Sequence, residues 1–291
     1  MLIPNEVSLL VTSDPSQGAI NVTNDGSSFE VQLDDPIVIP ADALNVNVSV
    51  EEATVWWVVP NIITGVNDTI YIFGDDDSGV PVPQLFTVVI PQGLYDLTGL
   101  NNSVQSGLEA LGARTISGGV PLPLITLTPD DATQKVVIRF NYTNVTVDFS
   151  AARTDTFREI IGFDELIYGP FAAAPLNILA PNIAAFNTVN SFLIASDLVN
   201  TGIRFNNRYN QVIAQVLINV SPGSQIISTP FNPAKSNAQP LAGSNRSNLR
   251  FRLTDEKLRP VNTNGEYWSA RVVIRYSTPF VVEKINNSSF T

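Results

Sequence analysis

Three consecutive carboxylates, Asp75, Asp76 and Asp77, occupy the segment GDDDSG at residues 74–79. Carboxylate oxygens on a flexible loop are the ligands that Ca²⁺ prefers, so a calcium site is one interpretation of this segment. The spacing does not match the EF-hand loop, and no glutamate follows at the distance where a bidentate ligand would stand. An exposed acidic turn between two strands is the favoured interpretation, and we predict neither a bound metal nor a cofactor.

Carboxylates are also the main groups left for catalysis, because the chain contains no Cys and no His. Their absence excludes thiolate nucleophiles, disulfides, Cys/His zinc sites and triads with a His base. A glycosidase needs two carboxylates flanking a sugar cleft, and acidic pairs stand at 34–35, 51–52 and 130–131. Glu51 and Glu52 are adjacent on a predicted strand, so we expect them on opposite faces and not as such a pair. We predict no catalytic residues and no enzymatic activity.

Aromatic side chains are the other group that could bind a ligand, by stacking on sugar rings. The candidates for such a platform are Trp56, Trp57, Tyr71, Phe73 and Trp268. The two adjacent tryptophans lie in the most apolar predicted strand, ATVWWVV at 53–59, where core packing is the default. A lectin-like, carbohydrate-binding module remains an alternative to a purely structural role.

Four arginines, Arg250, Arg252, Arg271 and Arg275, stand in the segment 248–279 of an acidic chain. The chain has 16 basic and 27 acidic residues, so we expect no direct nucleic-acid binding, which requires a basic domain or arm. Arginine suits interfaces because its planar guanidinium pairs bidentately with carboxylates and is weakly hydrated. We predict that these arginines bind an acidic surface of a neighbouring subunit. The alternative is an ordinary solvated sheet face.

The arginines alternate with apolar residues along two predicted strands that are joined by a loop. The apolar positions are Leu249, Phe251 and Leu253 in the first strand, and Trp268, Ala270, Val272, Ile274 and Tyr276 in the second. This period-two pattern predicts one hairpin, with its apolar face in the core and the four arginines together on the outer face.

Period-two alternation dominates the rest of the chain, with one interruption. The segment 93–113 has leucines and a valine at helical spacing, strands follow it, and 153–163 reads as a short helix that ends at Gly162. We therefore predict a small α+β module at 66–164, packed as its own unit and inserted into a β-sandwich formed by 1–65 and 165–291. Many strands and long connections at this length favour an all-β jelly roll over an immunoglobulin-like sandwich.

The stretch from 166 to 196 contains no charged side chain, and it is long enough to span a bilayer. Three prolines and several asparagines interrupt the stretch, so we predict a buried or interface-covered loop and strand and no transmembrane segment. The amino terminus has no basic region and only a short apolar run, and we expect no signal peptide.

Two parts of the sequence resemble proteins of one viral family. The blocks LRFRLTDEKLRPV (249–261) and NGEYWSARVVIRY (264–276) resemble the last strand pair of single jelly-roll penton proteins of virophages and polinton-like DNA viruses. The blocks FTVVIPQGLYDLTGLNNSVQSGLEALG (86–112) and VDFSAARTDTFREIIGF (147–163) resemble a strand–helix–strands–helix module of vertex or capsid-associated proteins. The resemblance covers about half of the chain.

This resemblance implies a structural capsid protein of the virion, assembled inside the host cell. Five copies would form a homopentamer, or penton, that closes each icosahedral vertex, and the inserted module would project outward. The major capsid protein is the implied partner, and minor capsid proteins are further candidates. The alternative function is a viral spike or a carbohydrate-binding module for host attachment.

Overall fold

The computed structural model describes residues 2–75, 83–117, 120–187, 189–204 and 210–280. The first strands in chain order are β1 (Leu2–Thr12), β2 (Ala19–Ile20), β3 (Ser28–Val38) and β4 (Leu44–Trp56). They are followed by β5 (Thr69–Gly74), β6 (Gln84–Val89), the helix α1 (Leu97–Ala110), β7 (Arg114–Ser117), β8 (Val120–Pro123), β9 (Ile125–Asp130), β10 (Lys135–Phe140), β11 (Thr146–Asp148), β12 (Ile167–Tyr168) and β13 (Leu176–Leu179). The last strands are β14 (Ser191–Ser196), β15 (Val212–Leu217), β16 (Gln225–Ser228), β17 (Ser236–Asn237), β18 (Asn245–Thr254) and β19 (Ser269–Pro279).

The chain divides into two compact units. The first, which we call the sandwich unit, consists of Met1–Val58 and Val189–Thr291. The second, the module, consists of Val59–Thr188. Both boundaries differ from the sequence prediction, and the second lies 24 residues beyond the predicted position at 164.

The sandwich unit is an all-β jelly roll. One sheet has the order β1-β19-β4-β16, with the short β17 also paired to β4, and the other has the order β15-β14-β18-β3-β2. The chain therefore pairs its first long strand with its last (β1 with β19), then β3 with β18, β4 with β16 and β14 with β15, all antiparallel. This nested pairing, rolled into two sheets, is the jelly-roll topology that the sequence predicted.

The core of the sandwich unit lies between the inward faces of the two sheets. Phe29 on β3 stacks on Phe251 of β18, with ring centroids 5.6 Å apart. Phe29 also meets the ring of Trp268, which lies just before β19, edge-on at 5.0 Å. All three side chains are almost completely buried, and the indole Nε1 donates a hydrogen bond to the carbonyl oxygen of Gly26. The predicted core positions of Phe251 and Trp268 are confirmed.

One strand is buried on both faces, but it is not the one that the sequence indicated. All six residues of β14 are buried. The predicted two-faced strand at 53–59 instead ends at Trp56, and its exposure alternates, with Trp56 half-buried and Trp57 buried. The residues on the second face of this strand are thus only partly buried. Composition alone does not distinguish the two strands, because both are rich in apolar residues.

The module has its own hydrophobic core. Its sheets have the orders β13-β10-β9 and β12-β11-β5-β6, and β7 pairs with β8. The helix α1 packs against β6 and β9 and buries Leu100, Val104 and Leu108. Asp96 caps its first turn by accepting a hydrogen bond from the Gly99 N–H, as side chains at helix N-caps do. The predicted helix is confirmed, although Leu111 lies beyond its end and is exposed.

The prediction of a second helix in the module is wrong. Residues 153–163 contain only a single 3-10 turn, Phe157–Glu159. The chain then reverses at Gly162, whose φ of +77° is accessible to glycine at little cost. A Cβ at Gly162 would lie 2.3 Å from the carbonyl oxygen of Asn182, so a side chain at this position would collide with the backbone.

Backbone pairing explains why the module extends past residue 164. β12 pairs with β11, and β13 pairs with β10, so the uncharged stretch after 165 contributes two strands to the module. At the other boundary, the buried side chain of Asn61 donates to the carbonyl oxygens of Tyr95 and Phe186. Within the described residues, no helix is long and apolar enough to cross a membrane.

The aromatic contact in the sandwich core leads to a first prediction. Replacing Trp268 by Ala should lower the free energy of unfolding of the sandwich unit by about 3–5 kcal/mol, because burial is lost and a cavity is left. All three tryptophans lie in this unit, so the fluorescence of Trp56 and Trp57 can follow its unfolding in urea. Tyr267→Ala is the control, because Tyr267 is half exposed. A loss below about 1 kcal/mol for Trp268→Ala would contradict the role of this contact.

A second prediction concerns the packing of α1 on β6. A Cβ at Gly107 would lie 2.3 Å from Cγ1 of Val88, a β-branched side chain with little freedom to move. Gly107→Ala gains about 1 kcal/mol of helix propensity but overpacks this contact by about 1–3 kcal/mol. We expect net destabilisation, measured as faster amide exchange in α1. Ser106→Ala on the exposed face should slow exchange slightly, and the same slowing in Gly107→Ala would refute the proposed close contact.

Candidate assembly surface

The four arginines do not share one face, because the predicted hairpin is wrong. β18 pairs with β14 and β3 in one sheet, whereas β19 pairs with β1 and β4 in the other. Both strands turn their apolar residues inward, so their outward residues lie on opposite sides of the sandwich. Arg250 and Arg252 therefore lie on one outer face, and Arg271 and Arg275 lie on the other.

Arg250 is held by acidic groups of its own chain. It is the direct register partner of Glu30 on β3, and its guanidinium forms a salt bridge to Oε1 of that residue through Nε, at 2.9 Å, and Nη2. The backbone N–H of Arg250 donates to Asp197. Hydrogen bonds from Arg250 first, and from Asn21 second, hold the pKa of Glu30 below its usual range.

Arg275 is held by a second network on the other face. Its guanidinium donates to Glu6 of β1 at 2.9 Å, to Ser49 of β4 at 3.1 Å, and to Glu51 of β4. The three contacts join β1, β19 and β4 across the outside of one sheet. The hydrogen bond from Arg275 holds the pKa of Glu51 below its usual range, although burial acts in the opposite direction.

A bulge overturns the prediction that Glu51 and Glu52 point to opposite faces. The register passes from Arg271 opposite Glu52 to Val272 opposite Val50, which leaves Glu51 as an extra residue on β4. Opposite residues of an antiparallel pair share a face, so Glu52 lies on the side of Arg271, and Glu51 reaches Arg275 on that same side. Sequence reasoning assumed an unbroken strand, and no residue type in this segment marks the bulge.

The side chains of the remaining two arginines donate hydrogen bonds only to neutral groups. Arg252 donates to the amide oxygen of Gln211 at 2.8 Å, and Arg271 donates to the hydroxyl of Ser8 at 3.3 Å. Neither forms a salt bridge with a described residue. The exposed carboxylates of Asp34 and Asp35 likewise have no ion-pair partner in the described part of the chain. Arg271 lies opposite Glu52, and its charge helps to lower the pKa of Glu51, so Arg252 is the more available of these two charges to another molecule.

The calcium candidate lies mostly outside the described residues, since Asp76 and Asp77 are not among them. Asp75 is buried, and its Oδ2 accepts a hydrogen bond from the amide of Asn144. Among the described residues, no group of three or more Cys, His, Asp or Glu side chains could hold a metal ion.

The tryptophans of the predicted aromatic platform are not exposed. Trp57 and Trp268 are core residues, and Trp56 is half-buried. Tyr71 and Phe73 are in the module, where the guanidinium of Arg153 covers the Tyr71 ring at 4.1 Å.

The acids with shifted pKa give no indication of a general acid. Among the described carboxyls with a resolved shift, the pKa is lowered in every case: Asp25, Glu30, Glu51 and Asp148. Acid catalysis near neutral pH requires a raised carboxyl pKa. These acids are therefore suited to ion pairs and hydrogen bonds.

The two ion-pair networks predict a pH-dependent stability. Glu30 and Glu51 have folded pKa values below the ordinary 4.5, so the unfolded chain binds more protons near that pH. Their stabilisation is present above pH 4.5 and is lost as pH falls through the folded pKa. We expect the urea midpoint of the sandwich unit to drop in this window, and the drop to be smaller in Glu30→Gln/Glu51→Gln. Glu266→Gln, on an exposed loop, is the control. An unchanged drop in the double variant would mean that other acids cause it.

No protein-family model and no curated protein matches the sequence. Among solved structures, the chain is similar to the crystal structure of the mavirus penton protein, with a TM-score of 0.46 and 11% sequence identity. The alignment covers 93% of this chain and 99% of that chain.

Proposed function

We propose that this chain is a structural capsid protein of a DNA virus and that five copies form a penton at each icosahedral vertex. The observation that carries the proposal is a sandwich unit with arginines on its two opposite outer faces that form no salt bridge with a described residue, and carboxylates elsewhere on its surface that have no ion-pair partner in the same part of the chain. A ring of identical subunits requires two different, complementary patches on each copy. Arg252 or Arg271 on one copy and an acidic patch such as Asp34 and Asp35 on the next would meet this requirement.

The charge distribution favours contacts through the sandwich unit. Residues 59–188 hold 13 acidic and 5 basic residues, so the module carries −8 of the net charge of −11. The remainder of the chain holds 14 acidic and 11 basic residues and is close to balance. Modules of neighbouring copies would repel each other, whereas sandwich units can approach closely. The acidic module is then suited to a solvated position.

The proposed partners are other copies of the chain, the major capsid protein and minor capsid proteins. Capsid contacts need apolar as well as charged surface, and the sandwich unit exposes several large apolar side chains. Leu10 of β1, Val38 of β3, Leu217 of β15 and Ile227 of β16 are each more than 60% exposed. Exposed apolar side chains are suited to burial between subunits, and β1, β15 and β16 are edge strands of their sheets.

The assembly prediction uses the arginines that form no salt bridge with a described residue. Arg252→Gln with Arg271→Gln should leave the sandwich unit folded, because glutamine removes each charge without placing a new carboxylate beside Glu51 or Glu52. Native mass spectrometry should show the wild-type chain as pentamers at low salt and the double variant shifted to monomers. We expect a loss of affinity of about tenfold or more, and added NaCl should weaken the wild-type pentamer as well.

Two comparisons sharpen this experiment. Lys235→Gln removes a positive charge on an exposed loop and should leave the pentamer intact. Arg275→Glu is a poor probe of assembly, because it would place a carboxylate beside Glu6 and Glu51 and destabilise the monomer. If the wild-type chain stays monomeric at high protein concentration, and also fails to occupy vertices in capsids reconstituted with the major capsid protein, the penton proposal is wrong. If the double variant forms pentamers as well as the wild type does, the two arginines are not interface residues, and the penton proposal itself is unaffected.

A further inference from the structure

β1 lies at the edge of its sheet, with β19 on one side and no described strand on the other. The strands at the other ends of the two sheets of the sandwich unit are short, since β16 has four residues, β15 has six and β2 has two. β1 has eleven residues, and its register with β19 runs through all of them without a bulge. A long, regular edge presents a row of unpaired backbone groups on which another chain can add a strand.

The backbone groups of every second residue of β1 point to this free edge. The Ser13 N–H donates to the carbonyl oxygen of Trp268 at 2.9 Å and so continues the ladder between β1 and β19 by one pair. Because hydrogen-bonded and non-hydrogen-bonded pairs alternate in an antiparallel ladder, the odd-numbered residues of β1 bond to β19. The backbone groups of the even-numbered residues point outward and have no backbone partner among the described residues. Of these residues, only Pro4 lacks an N–H to donate.

The free edge of β1 has little of the charge that usually protects an edge strand from other chains. Glu6 is the only charged residue of β1, and its carboxylate already accepts a hydrogen bond from Arg275 at 2.9 Å. On the same outer face, Leu10 is 78% exposed. Pro4 protects only the beginning of the strand, so the edge from Glu6 to Thr12 is open to an added strand.

The core of the sandwich unit is also incompletely covered along this edge. Val7 and Leu9 lie opposite the buried residues Ile274 and Val272 of β19, so they share the inward face. Both are only partly buried, and Ile3 on the same face is 42% exposed. A strand added beside β1 would therefore satisfy the outward backbone groups and bury apolar side chains of the inward face at the same time.

A second copy of β1 fits this edge. When two copies pair antiparallel about a two-fold axis at Val7, the strands overlap along their whole length in an isologous contact. Glu6 then lies opposite Ser8 of the second copy, so like charges do not meet, whereas an axis at Glu6 would oppose two carboxylates. Leu10 lies opposite Pro4 of the second copy, and each covers the other on the outer face.

We propose that the free edge of β1 binds the free edge of β1 in a second copy of this chain, antiparallel and about a two-fold axis at Val7. The contact is one strand wide and smaller than a standard interface, so we expect a Kd of about 100 μM. It is formed by backbone groups and apolar side chains, whereas the proposed pentameric ring uses charged side chains. The two proposals can therefore fail separately.

The absence of cysteine from the chain allows this register to be tested by single substitutions. In the proposed pair, Val7 lies opposite Val7 of the second copy at a non-hydrogen-bonded position, where Cα atoms are about 4.5 Å apart and a disulfide can form. Leu9 is the matched control, because it has the same orientation and is also partly buried, but lies about 13 Å along the strand from its own counterpart. At about 100 μM protein in a glutathione buffer, Val7→Cys should give at least about tenfold more disulfide-linked dimer than Leu9→Cys.

A further variant alters the free edge without removing a hydrogen bond to β19. The N–H of Leu10 points outward, so Leu10→Pro takes away a donor at a position where an edge strand tolerates proline. Added to Val7→Cys, it should lower the yield of dimer about tenfold, with tryptophan fluorescence showing that the sandwich unit is folded. Added NaCl should leave the cross-link unchanged, because the contact contains no ion pair between copies, whereas it should weaken the proposed ring.

Equal dimer yields from Val7→Cys and Leu9→Cys, or no dimer from either, would overturn the proposal. So would a yield that Leu10→Pro leaves unchanged in a folded chain, or a cross-link that appears only after residues 281–291 are deleted, since that segment would then be what covers the edge. Ser8→Pro, whose N–H also points outward, replaces Leu10→Pro if that variant does not fold. Cross-linked dimers from a chain that never forms pentamers would support this contact and contradict the penton proposal. Pentamers whose Val7→Cys variant gives no dimer would do the reverse.

Discussion

The contact on which the sandwich unit depends is the aromatic cluster between its two sheets. Phe29 and Phe251 belong to one sheet, and Trp268 leads into the last strand of the other, so the three rings join the layers directly. Because β18 and β19 are consecutive long strands but lie in different sheets, their inward faces must meet across the core. The division of the arginines between two outer faces follows from that arrangement.

The outer faces are stabilised by charges that the chain neutralises itself. Arg275 joins three strands through Glu6, Ser49 and Glu51, and Arg250 joins β18 to β3 through Glu30. Surface ion pairs contribute little individually, but a guanidinium with several fixed partners loses less freedom per contact. The same networks remove two of the four candidate assembly residues from free surface. Arg252 and Arg271 are the two that form no salt bridge with a described residue, and Arg271 lies opposite Glu52.

Two short strands extend the module beyond the segment around its helix. α1, β6 and β9 form a compact centre, and β12 and β13 add to its sheets from a stretch that contains no charged residue. That stretch gives no boundary signal, because its apolar residues suit the module core and the sandwich core equally well. Asn61 marks the true start of the module through hydrogen bonds to Tyr95 and Phe186.

The sequence by itself determined which faces of the strands are apolar, where α1 lies, that thiol and imidazole chemistry are excluded, and that a jelly roll is the fold. These properties depend on residue type and local period, which can be read along the chain. The tertiary structure decided that β18 and β19 do not pair, that Glu51 is bulged, and that 153–163 is a turn. Each of these depends on backbone hydrogen bonds between distant segments, and backbone groups are the same in every residue except proline. Alternation therefore predicts what a strand buries, while only the folded chain determines which strand lies beside it.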